Sequence, residues 1–349
     1  MDSKVLTWND SNEAIKALKD GEVVAFPTET VYGLGAIASS KAAFDKLCAV
    51  KRRPADKPFT LMVSTYADIA RFAELDKATI ELIHAFMPGQ VTFLLKARKG
   101  IPQHIDLGTG VIGVRMPAHE KLLSLIEKVD EPLLVPSANI SNEPPCKDEK
   151  ALLESFNGKI PYIIGEGEIN GKPSTIVDLS TRGQIKLIRE GSVPFALLKE
   201  AFESPREVKL TVASDHGGFA YKEAAKKHLE DMGYKVLDFG TYNEASCDYP
   251  LFAQDACKAI INGEAELGFN ICTSGEGICM AANKVKGIRC GLGYDDVASG
   301  KTREHNHANM LAFGQKYMKL EDVLRRIDIF LVEKPSPLEK HIRRVKELE

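Results

Sequence analysis

In the second half of the chain, short apolar runs alternate with segments in which apolar residues recur every three or four positions. Tyr221, Ala225, Leu229 and Met232 share one face at helical spacing, and Gly233 suits a C-terminal cap. Besides this helix, the pattern predicts strands at 209–214, 234–240, 266–272 and 288–294 and helices at 249–263 and 277–285. The alternation predicts right-handed crossovers and a Rossmann-like α/β/α sandwich, a parallel sheet with helices on both faces.

The first half is also mixed α and β, but its pattern is less regular. Two segments, 42–51 and 77–86, have the spacing of helices. The strand candidates are 21–27, 59–63, 91–97, 110–117, 132–139, 174–179 and 184–189. We therefore expect a twisted α/β sheet with helices packed on it.

A domain boundary is predicted within the segment FESPREVKL, residues 202–210. A proline and several charges separate a helix-like segment there from a new strand. The length of 349 residues also favours two domains over one. The prediction is one domain over residues 1–203 and a second over residues 207–349.

Charge and composition narrow the functional classes. Residues 1–206 carry a net charge of −1 and the remainder −2, which does not suit a dedicated nucleic-acid binder. No apolar run approaches the roughly 18 residues that span a bilayer, and the N-terminal segment lacks the features of a secretory signal. Seven cysteines without a CxxC pair favour reduced thiols in a cytoplasm over a disulfide framework or a zinc site. We thus expect a cytoplasmic protein with no membrane partner.

The stretch ICTSGEGICMAANK, residues 271–284, sets Cys272 at the end of a strand, before a turn with Gly275 and Gly277. Backbone N–H groups at a helix start can hold an anion and favour the thiolate form of a cysteine. A thiolate beside such donors suits acyl transfer or proton abstraction next to a carbonyl. The alternative is a buried core cysteine.

Two polar clusters accompany this turn. Asp215 and His216 follow the strand 209–214 in SDHGG, at the sheet edge where parallel α/β folds bind ligands. His305 and Asn306 lie in REHNHAN. A histidine taken alone is more often a structural or surface residue than a catalyst.

Together these motifs, with DYP and HANMLAFG, resemble the ribose-5-phosphate isomerase type B family, which includes galactose-6-phosphate isomerase subunits, over residues 207–349. The resemblance implies a proton transfer between carbons 1 and 2 of a sugar phosphate, through an enediolate, by Cys272. It implies a hydroxyl role for Ser274, enediolate binding at Gly275 and Gly277, and ring opening by His305. The implied sugar-phosphate contacts are Asp215, His216, Asn306, Lys316, Lys340 and Arg344.

Members of that family are dimers with shared sites, so His305 is expected to serve the neighbour's Cys272. Lys316 and Lys340 stand where the family has arginines, and Arg344 is retained. Lysine binds phosphate as a point charge without a bidentate fork. The resemblance implies ribose 5-phosphate as the substrate, and a six-carbon sugar phosphate is the alternative.

The first half offers hydroxyls at Thr28 and Thr30 in FPTETVYGLGA, followed by the basic segment KRRPADKP. If that segment is locally extended, Lys51 and Arg53 point to the same side, as Ser137 and Asn139 would in PSAN. Two cations with a hydroxyl and an amide would suit a triphosphate. The alternative is a solvated basic turn and a buried polar pair.

The motifs PTETVYGLG, KRR, MPGQVTFLL, GVRMP, PSANIS, STIVDL and LIREG resemble the threonylcarbamoyl-AMP synthase (YrdC-like) family over residues 8–195. The resemblance implies that L-threonine, bicarbonate and ATP are joined into threonylcarbamoyl-adenylate, for tRNA modification with partner proteins. The implied ATP- and threonine-binding residues are Thr28, Thr30, Lys51, Arg53, Arg115, Ser137, Asn139, Ser174 and Arg189. No acidic cluster names a protein metal ligand, so Mg²⁺ is expected to be held by ATP, and the isomerase half needs no cofactor.

The leading interpretation is a bifunctional enzyme. Two alternatives stay open: a first half that binds RNA, including double-stranded RNA, on a concave basic surface, and a half that serves only for docking or sensing. We also expect at least a dimer through the second half.

Overall fold

The computed structural model describes residues 2–54 and 57–348. Its strands are β1 (Lys4–Leu6), β2 (Val24–Phe26), β3 (Gly33–Ile37), β4 (Thr60–Met62), β5 (Val91–Lys96), β6 (Val111–Arg115), β7 (Leu133–Leu134), β8 (Tyr162–Ile164), β9 (Thr175–Asp178), β10 (Lys186–Arg189), β11 (Lys209–Ser214), β12 (Lys235–Asp238), β13 (Leu267–Cys272), β14 (Cys290–Leu292) and β15 (Met310–Gly314). Its helices are α1 (Ser11–Lys19), α2 (Lys41–Lys51), α3 (Tyr66–Phe72), α4 (Lys77–Phe86), α5 (Gln103–Asp106), α6 (Glu120–Val129), α7 (Glu149–Phe156), α8 (Phe195–Glu203), α9 (Phe219–Asp231), α10 (Tyr249–Ile261), α11 (Glu276–Ala282), α12 (Asp296–Asn306), α13 (Leu320–Val332) and α14 (Glu339–Lys346).

The chain divides into two compact units. The first holds the described residues up to Glu74 together with Glu81–Ser204. The second holds Leu75–Ile80 and the described residues from Pro205 onward. Each unit has its own sheet, and the α/β class predicted for both halves is confirmed.

The first unit contains a ten-stranded mixed sheet in the order β1-β8-β2-β3-β7-β4-β6-β5-β9-β10. Helix α6 illustrates how its helices pack. Leu122, Leu125, Ile126 and Val129 form its buried face, and the His119 side chain accepts the Leu122 N–H at its start. Strand β3 was not predicted, because all five of its residues are buried and it lacks the alternation of a half-exposed strand.

The second unit contains a five-stranded sheet in the order β12-β11-β13-β15-β14. All of its strand pairs are parallel, as predicted. Helix α9 ends where the sequence indicated. Gly233 adopts a φ of 98°, and the Tyr234 N–H donates to the Leu229 carbonyl. Strand β15 was missed, because a fully buried run such as MLAFG has no periodicity to distinguish it.

Alternation along β13 shows that both faces of the second sheet are covered. Phe269 packs edge-on against Phe330 of α13 on one face. On the other face, Cys272 lies in a core cluster with Ala253 of α10 and Ile278 of α11. The end of β13 therefore presents its cysteine on the side of α10 and α11.

Candidate active sites

The first unit has a cavity of about 690 Å³. Seven of the nine residues predicted to bind ATP or threonine lie on its wall: Thr30, Arg53, Arg115, Ser137, Asn139, Ser174 and Arg189. The other two, Thr28 and Lys51, lie behind this wall and bond to residues that form it. The fold thus brings together residues spread over 160 positions of the chain.

Thr28 and Thr30 form a buried hydroxyl pair, with 2.9 Å between their Oγ1 atoms. Thr30 Oγ1 also accepts a hydrogen bond of 2.9 Å from the Arg115 guanidinium. The same guanidinium pairs with the carboxylate of Glu29 at 2.8 Å. Both charges are largely buried, so the pair fixes Arg115 in one orientation at the cavity wall.

Lys51 occupies a different position from the one predicted. The extended conformation on which that expectation depended does not occur, because Lys51 is the last residue of α2 and Arg52 reverses the chain in a left-handed conformation (φ 49°). The Lys51 ammonium donates to the carbonyls of Ser137 and Asn139, at 2.6 and 2.8 Å, and to Asn139 Oδ1 at 3.0 Å. It therefore holds the loop that carries two wall residues, and it is almost fully buried.

Burial, with a smaller contribution from Arg53, lowers the pKa of Lys51 to about 8. The expectation that Ser137 and Asn139 face the same side agrees with their contact, since Ser137 Oγ donates to Asn139 Oδ1 at 2.6 Å. Lys51, Ser137 and Asn139 thus form one hydrogen-bonded unit.

Arg189 and Ser174 lie next to each other on the cavity wall. The Arg189 guanidinium donates to the Ser174 carbonyl at 2.9 Å, and Ser174 Oγ lies 2.9 Å from Thr92 Oγ1. Burial and the charge of Arg115 lower the pKa of Arg189. Among the residues that the structure describes, three arginines and one carboxylate, Glu143, line the cavity, so this part of its wall carries excess positive charge suited to a polyanion.

Sequence reasoning missed Glu29, although it anchors Arg115 and also accepts the Ala118 N–H at 2.9 Å. It also missed Gly171, where an added Cβ would meet the Thr30 carbonyl oxygen at 2.2 Å. No local pattern indicates either role, because both depend on segments that meet only in the fold.

The second unit places Cys272 at the carboxyl end of β13, almost fully buried. The Gly275 N–H donates to Cys272 Sγ at 3.1 Å. Gly275 has a φ of 86°, a conformation that an L side chain rarely adopts, and α11 begins directly after it. A backbone donor at the start of a helix therefore points at the sulfur.

The SDHGG turn packs directly against this end of β13. A Cβ on Gly217 would lie 2.0 Å from Thr273 Oγ1, and one on Gly218 would lie 2.3 Å from the Ile271 carbonyl oxygen. Asp215 is buried, its Oδ1 has no hydrogen-bond partner within the described chain, and burial raises its pKa. Gly217 and Gly218 thus let the SDHGG turn and the Cys272 turn meet at one edge of the sheet, as the sequence predicted.

Lys316 belongs to the same edge of the sheet, since its backbone N–H donates to the Thr273 carbonyl at 3.1 Å. The Gln315 N–H likewise donates to the Cys272 carbonyl at 3.0 Å. A Cβ on Gly314 would lie 2.3 Å from the Ser274 carbonyl oxygen, so this loop encloses the turn. Seven of the predicted residues lie at or just after strand ends along this one edge: Asp215, His216, Cys272, Ser274, Gly275, Gly277 and Lys316.

His305 and Asn306 lie elsewhere. They end α12, which runs back from the end of β14 to the start of β15, so they belong to the opposite edge of the sheet from Cys272. The His305 ring lies 4.2 Å, between centroids, from the ring of His341 in α14. Burial and nearby positive charge, including that of His305, lower the pKa of His341.

Helix α14 also carries Lys340 and Arg344, on either side of His341. The predicted ring-opening residue and two predicted phosphate-binding residues therefore lie together at that edge: His305, Lys340 and Arg344. Within one chain, the fold separates them from the cysteine that they are expected to serve.

Two further cysteines, Cys279 in the first turn of α11 and Cys290 in β14, contact each other. The Cys279 thiol donates to the Cys290 carbonyl at 3.3 Å. Its contact with Cys290 lowers the pKa of Cys279, whereas burial and Cys279 raise that of Cys290 well above the ordinary value. Cys290 lies in the core cluster that contains Cys272, and Cys279 packs against that cluster.

Chemically, the first site can hold an extended anion among guanidinium, hydroxyl and amide groups. The second can abstract a proton with a thiolate, or attack a carbonyl, beside backbone donors for an oxyanion. Within residues 2–54 and 57–348, no group of three or more His, Cys, Asp or Glu side chains could hold a metal ion. No helix among these residues is long and apolar enough to cross a membrane.

Comparison with known proteins gives two family matches. Residues 16–191 match the model of the Sua5/YciO/YrdC family, described as telomere recombination. Residues 210–348 match the LacAB/RpiB family, described as ribose/galactose isomerase.

Individual relatives follow the same division. The threonylcarbamoyl-AMP synthase of Pyrococcus abyssi is 39% identical over 179 residues, which are 51% of this chain and 52% of that protein. The chain thus spans about half the length of that relative. YwlF of Bacillus subtilis, a candidate sugar phosphate isomerase, is 38% identical over 110 residues, 31% of this chain and 74% of that protein. A solved structure of a Pyrococcus abyssi Sua5 variant matches 99% of this chain and 97% of its own at 22% identity, with a TM-score of 0.55, and bears on the fold alone.

Proposed function

Because the chain belongs to the Sua5/YciO/YrdC family through residues 16–191 and to the ribose/galactose isomerase family through residues 210–348, we propose that it is a bifunctional enzyme. Its first unit would form threonylcarbamoyl-AMP, and its second would interconvert an aldose phosphate and a ketose phosphate. All seven of its cysteines are free thiols, which favours the reducing cytoplasm as its location.

The arginine-lined cavity supports the first activity. The threonine amine first adds to bicarbonate with loss of water, giving a carbamate. A carbamate oxygen then attacks the α-phosphate of ATP, and the bond to pyrophosphate breaks. The wall residues Arg53, Arg115 and Arg189 would neutralise the anionic reactants and align them, with Mg²⁺ entering on the ATP phosphates. A tRNA, with partner proteins that modify it, would consume the adenylate.

The Gly275 N–H on Cys272 Sγ supports the second activity. In the aldose-to-ketose direction, the Cys272 thiolate would take the proton from carbon 2. The electron pair would move onto the carbonyl oxygen as an enediolate, held by N–H groups of the turn with the Ser274 hydroxyl nearby. A proton would pass from the carbon-2 hydroxyl to the carbon-1 oxygen, and the thiol would return its proton to carbon 1, leaving the carbonyl at carbon 2.

A complete isomerase site would need two chains. His305, Lys340 and Arg344 lie at the opposite sheet edge from their own Cys272. Tyr242, Tyr294 and Tyr317, at the Cys272 edge, expose 62–71% of their surface, which a second copy could cover. We therefore propose a dimer in which His305 of one chain assists ring opening beside Cys272 of the other.

The test is to assay one purified protein for both reactions. ATP- and bicarbonate-dependent release of pyrophosphate with L-threonine, and conversion of ribose 5-phosphate to ribulose 5-phosphate, are the expected results. Salt-dependent RNA binding without any pyrophosphate release would contradict the first assignment and favour an RNA-binding module.

A six-carbon sugar phosphate is a second candidate substrate, because the matched family is described for both ribose and galactose isomerases. A panel of pentose and hexose phosphates, compared by kcat/KM, separates the two. A higher value for any hexose 6-phosphate would replace the pentose assignment.

A further inference from the structure

His216 has one ring nitrogen whose hydrogen-bond partner is fixed. Its Nδ1 lies 3.2 Å from the backbone nitrogen of Cys247, and the Cys247 N–H donates to it. The thiol of the same residue lies 4.0 Å from the same ring nitrogen. Cys247 comes from the largely exposed loop between β12 and α10, so a segment distant in sequence contacts the SDHGG turn at this imidazole.

The chemistry of this contact determines the tautomer. A backbone N–H can only donate, so Nδ1 must accept and carries no proton. In a neutral imidazole the proton then lies on Nε2. Protonation of both nitrogens would turn Nδ1 into a donor facing a donor and would break the contact.

The residue before His216 supplies the complementary group. Asp215 is only 5% exposed, and its Oδ1 has no hydrogen-bond partner within the described chain. The turn thus offers one acceptor without a partner, Asp215 Oδ1, and beside it one donor, the Nε2–H of His216. Two neighbouring oxygens of a sugar, one hydroxyl that donates and one oxygen that accepts, match this pair.

We infer that Cys247 is a positioning residue that holds His216 as the Nε2–H tautomer, so that His216 donates a hydrogen bond to a sugar oxygen while Asp215 accepts one. The inference rests on the proposed isomerase function for the identity of the ligand, but the tautomer itself does not. The backbone N–H carries the effect, and the Cys247 thiol adds to it only weakly because sulfur is a poor donor.

The direct test is the ¹⁵N spectrum of the histidine side chains in the full chain without substrate. His216 is assigned as the resonance that is lost in His216→Gln. We expect its Nδ1 to resonate as an unprotonated, pyridine-like nitrogen and its Nε2 as a protonated one. A proton on Nδ1 in the wild-type protein would overturn the inference, whatever the variants do.

Two substitutions at one position separate the N–H from the thiol. Cys247→Ala keeps the N–H, and we expect it to keep both the tautomer and kcat/KM within about twofold of wild type. Cys247→Pro removes the N–H, and we expect free exchange between tautomers and a fall of about fivefold in kcat/KM, the size of one net neutral hydrogen bond. Adenylate formation, which belongs to the first unit, should stay unchanged, and calorimetric unfolding serves as the check that the second unit is folded.

A folded Cys247→Pro variant with an unchanged tautomer and unchanged kcat/KM would refute the positioning role. If that variant fails to fold, the wild-type spectrum still decides. If the wild-type protein isomerises no sugar phosphate at all, the proposed function fails, whereas the tautomer remains readable by NMR.

Discussion

The substitution Gly275→Ala tests whether the glycine turn is needed to place its N–H on Cys272. In the wild-type chain this N–H donates to Cys272 Sγ at 3.1 Å. The substitution keeps the backbone N–H and adds a single methyl group. That group would meet Phe313 C at 2.7 Å, Leu292 Cδ1 at 2.8 Å and Gly314 N at 2.9 Å. Two of these atoms belong to the backbone of β15, a strand paired on both sides, so they cannot yield easily.

The magnitude follows from two contributions. A non-glycine residue at a φ of 86° costs about 1–2 kcal/mol, and overpacking of a filled site costs about 1–3 kcal/mol. Carbon atoms pack at about 3.5 Å or more, so the turn must retreat by about 0.8 Å from its 2.7 Å contact. A shift of that size at a reacting group lowers the rate by about ten- to a hundredfold.

The assay pairs this variant with Gly263→Ala. Gly263 also has a positive φ, 75°, but an added Cβ would meet nothing within 4 Å. Calorimetric unfolding and isomerase kinetics on both variants separate backbone strain from displacement of the turn. We expect about 1–2 kcal/mol of destabilisation and normal turnover for Gly263→Ala, and a larger loss of both stability and rate for Gly275→Ala.

Equal destabilisation of the two variants would show that the contacts around Gly275 are not restrictive. Near-normal isomerase turnover in Gly275→Ala would show that the donor geometry at Cys272 does not matter. Either result would refute the reasoning from the turn.

Three further predictions concern the two sites. Cys272→Ser should lower isomerase turnover by at least about a hundredfold, because serine cannot replace a thiolate base, and Cys279→Ser should be mild by comparison; the reverse order in steady-state kinetics would move the base to Cys279. Lys51→Ala should abolish threonylcarbamoyl-AMP formation by removing the anchor of the 137–139 loop while isomerisation survives, and equal loss of both activities in a folded variant would contradict separate sites. The pKa of Lys51 is about 8 in the folded chain against 10.5 for an ordinary lysine, so the unfolded chain binds more protons between these values. The free energy of unfolding of the first unit, followed by the fluorescence of Trp8, the single tryptophan, should therefore rise with pH from about 8 to 10.5 relative to Lys51→Met, and parallel curves would argue against the shift.

The sequence by itself determined the alternation of strands and helices in the second unit. Apolar spacing along helix α9, as at Ala225 and Leu229, records which face of the helix is buried. It also indicated that Cys272 ends a strand before a glycine turn. These are local properties, and local spacing is what a sequence displays directly.

Only the tertiary structure decided which distant groups meet. Lys51 faces the carbonyls of Ser137 and Asn139 because a left-handed residue follows it at the end of α2, and no pattern in KRR indicates that reversal. His305 lies at the far edge of the sheet from Cys272 because α12 runs antiparallel to the strands. The physical reason is that the packing of whole elements decides which partner a buried charge meets and at which edge of the sheet a residue lies. Local periodicity does not encode that packing.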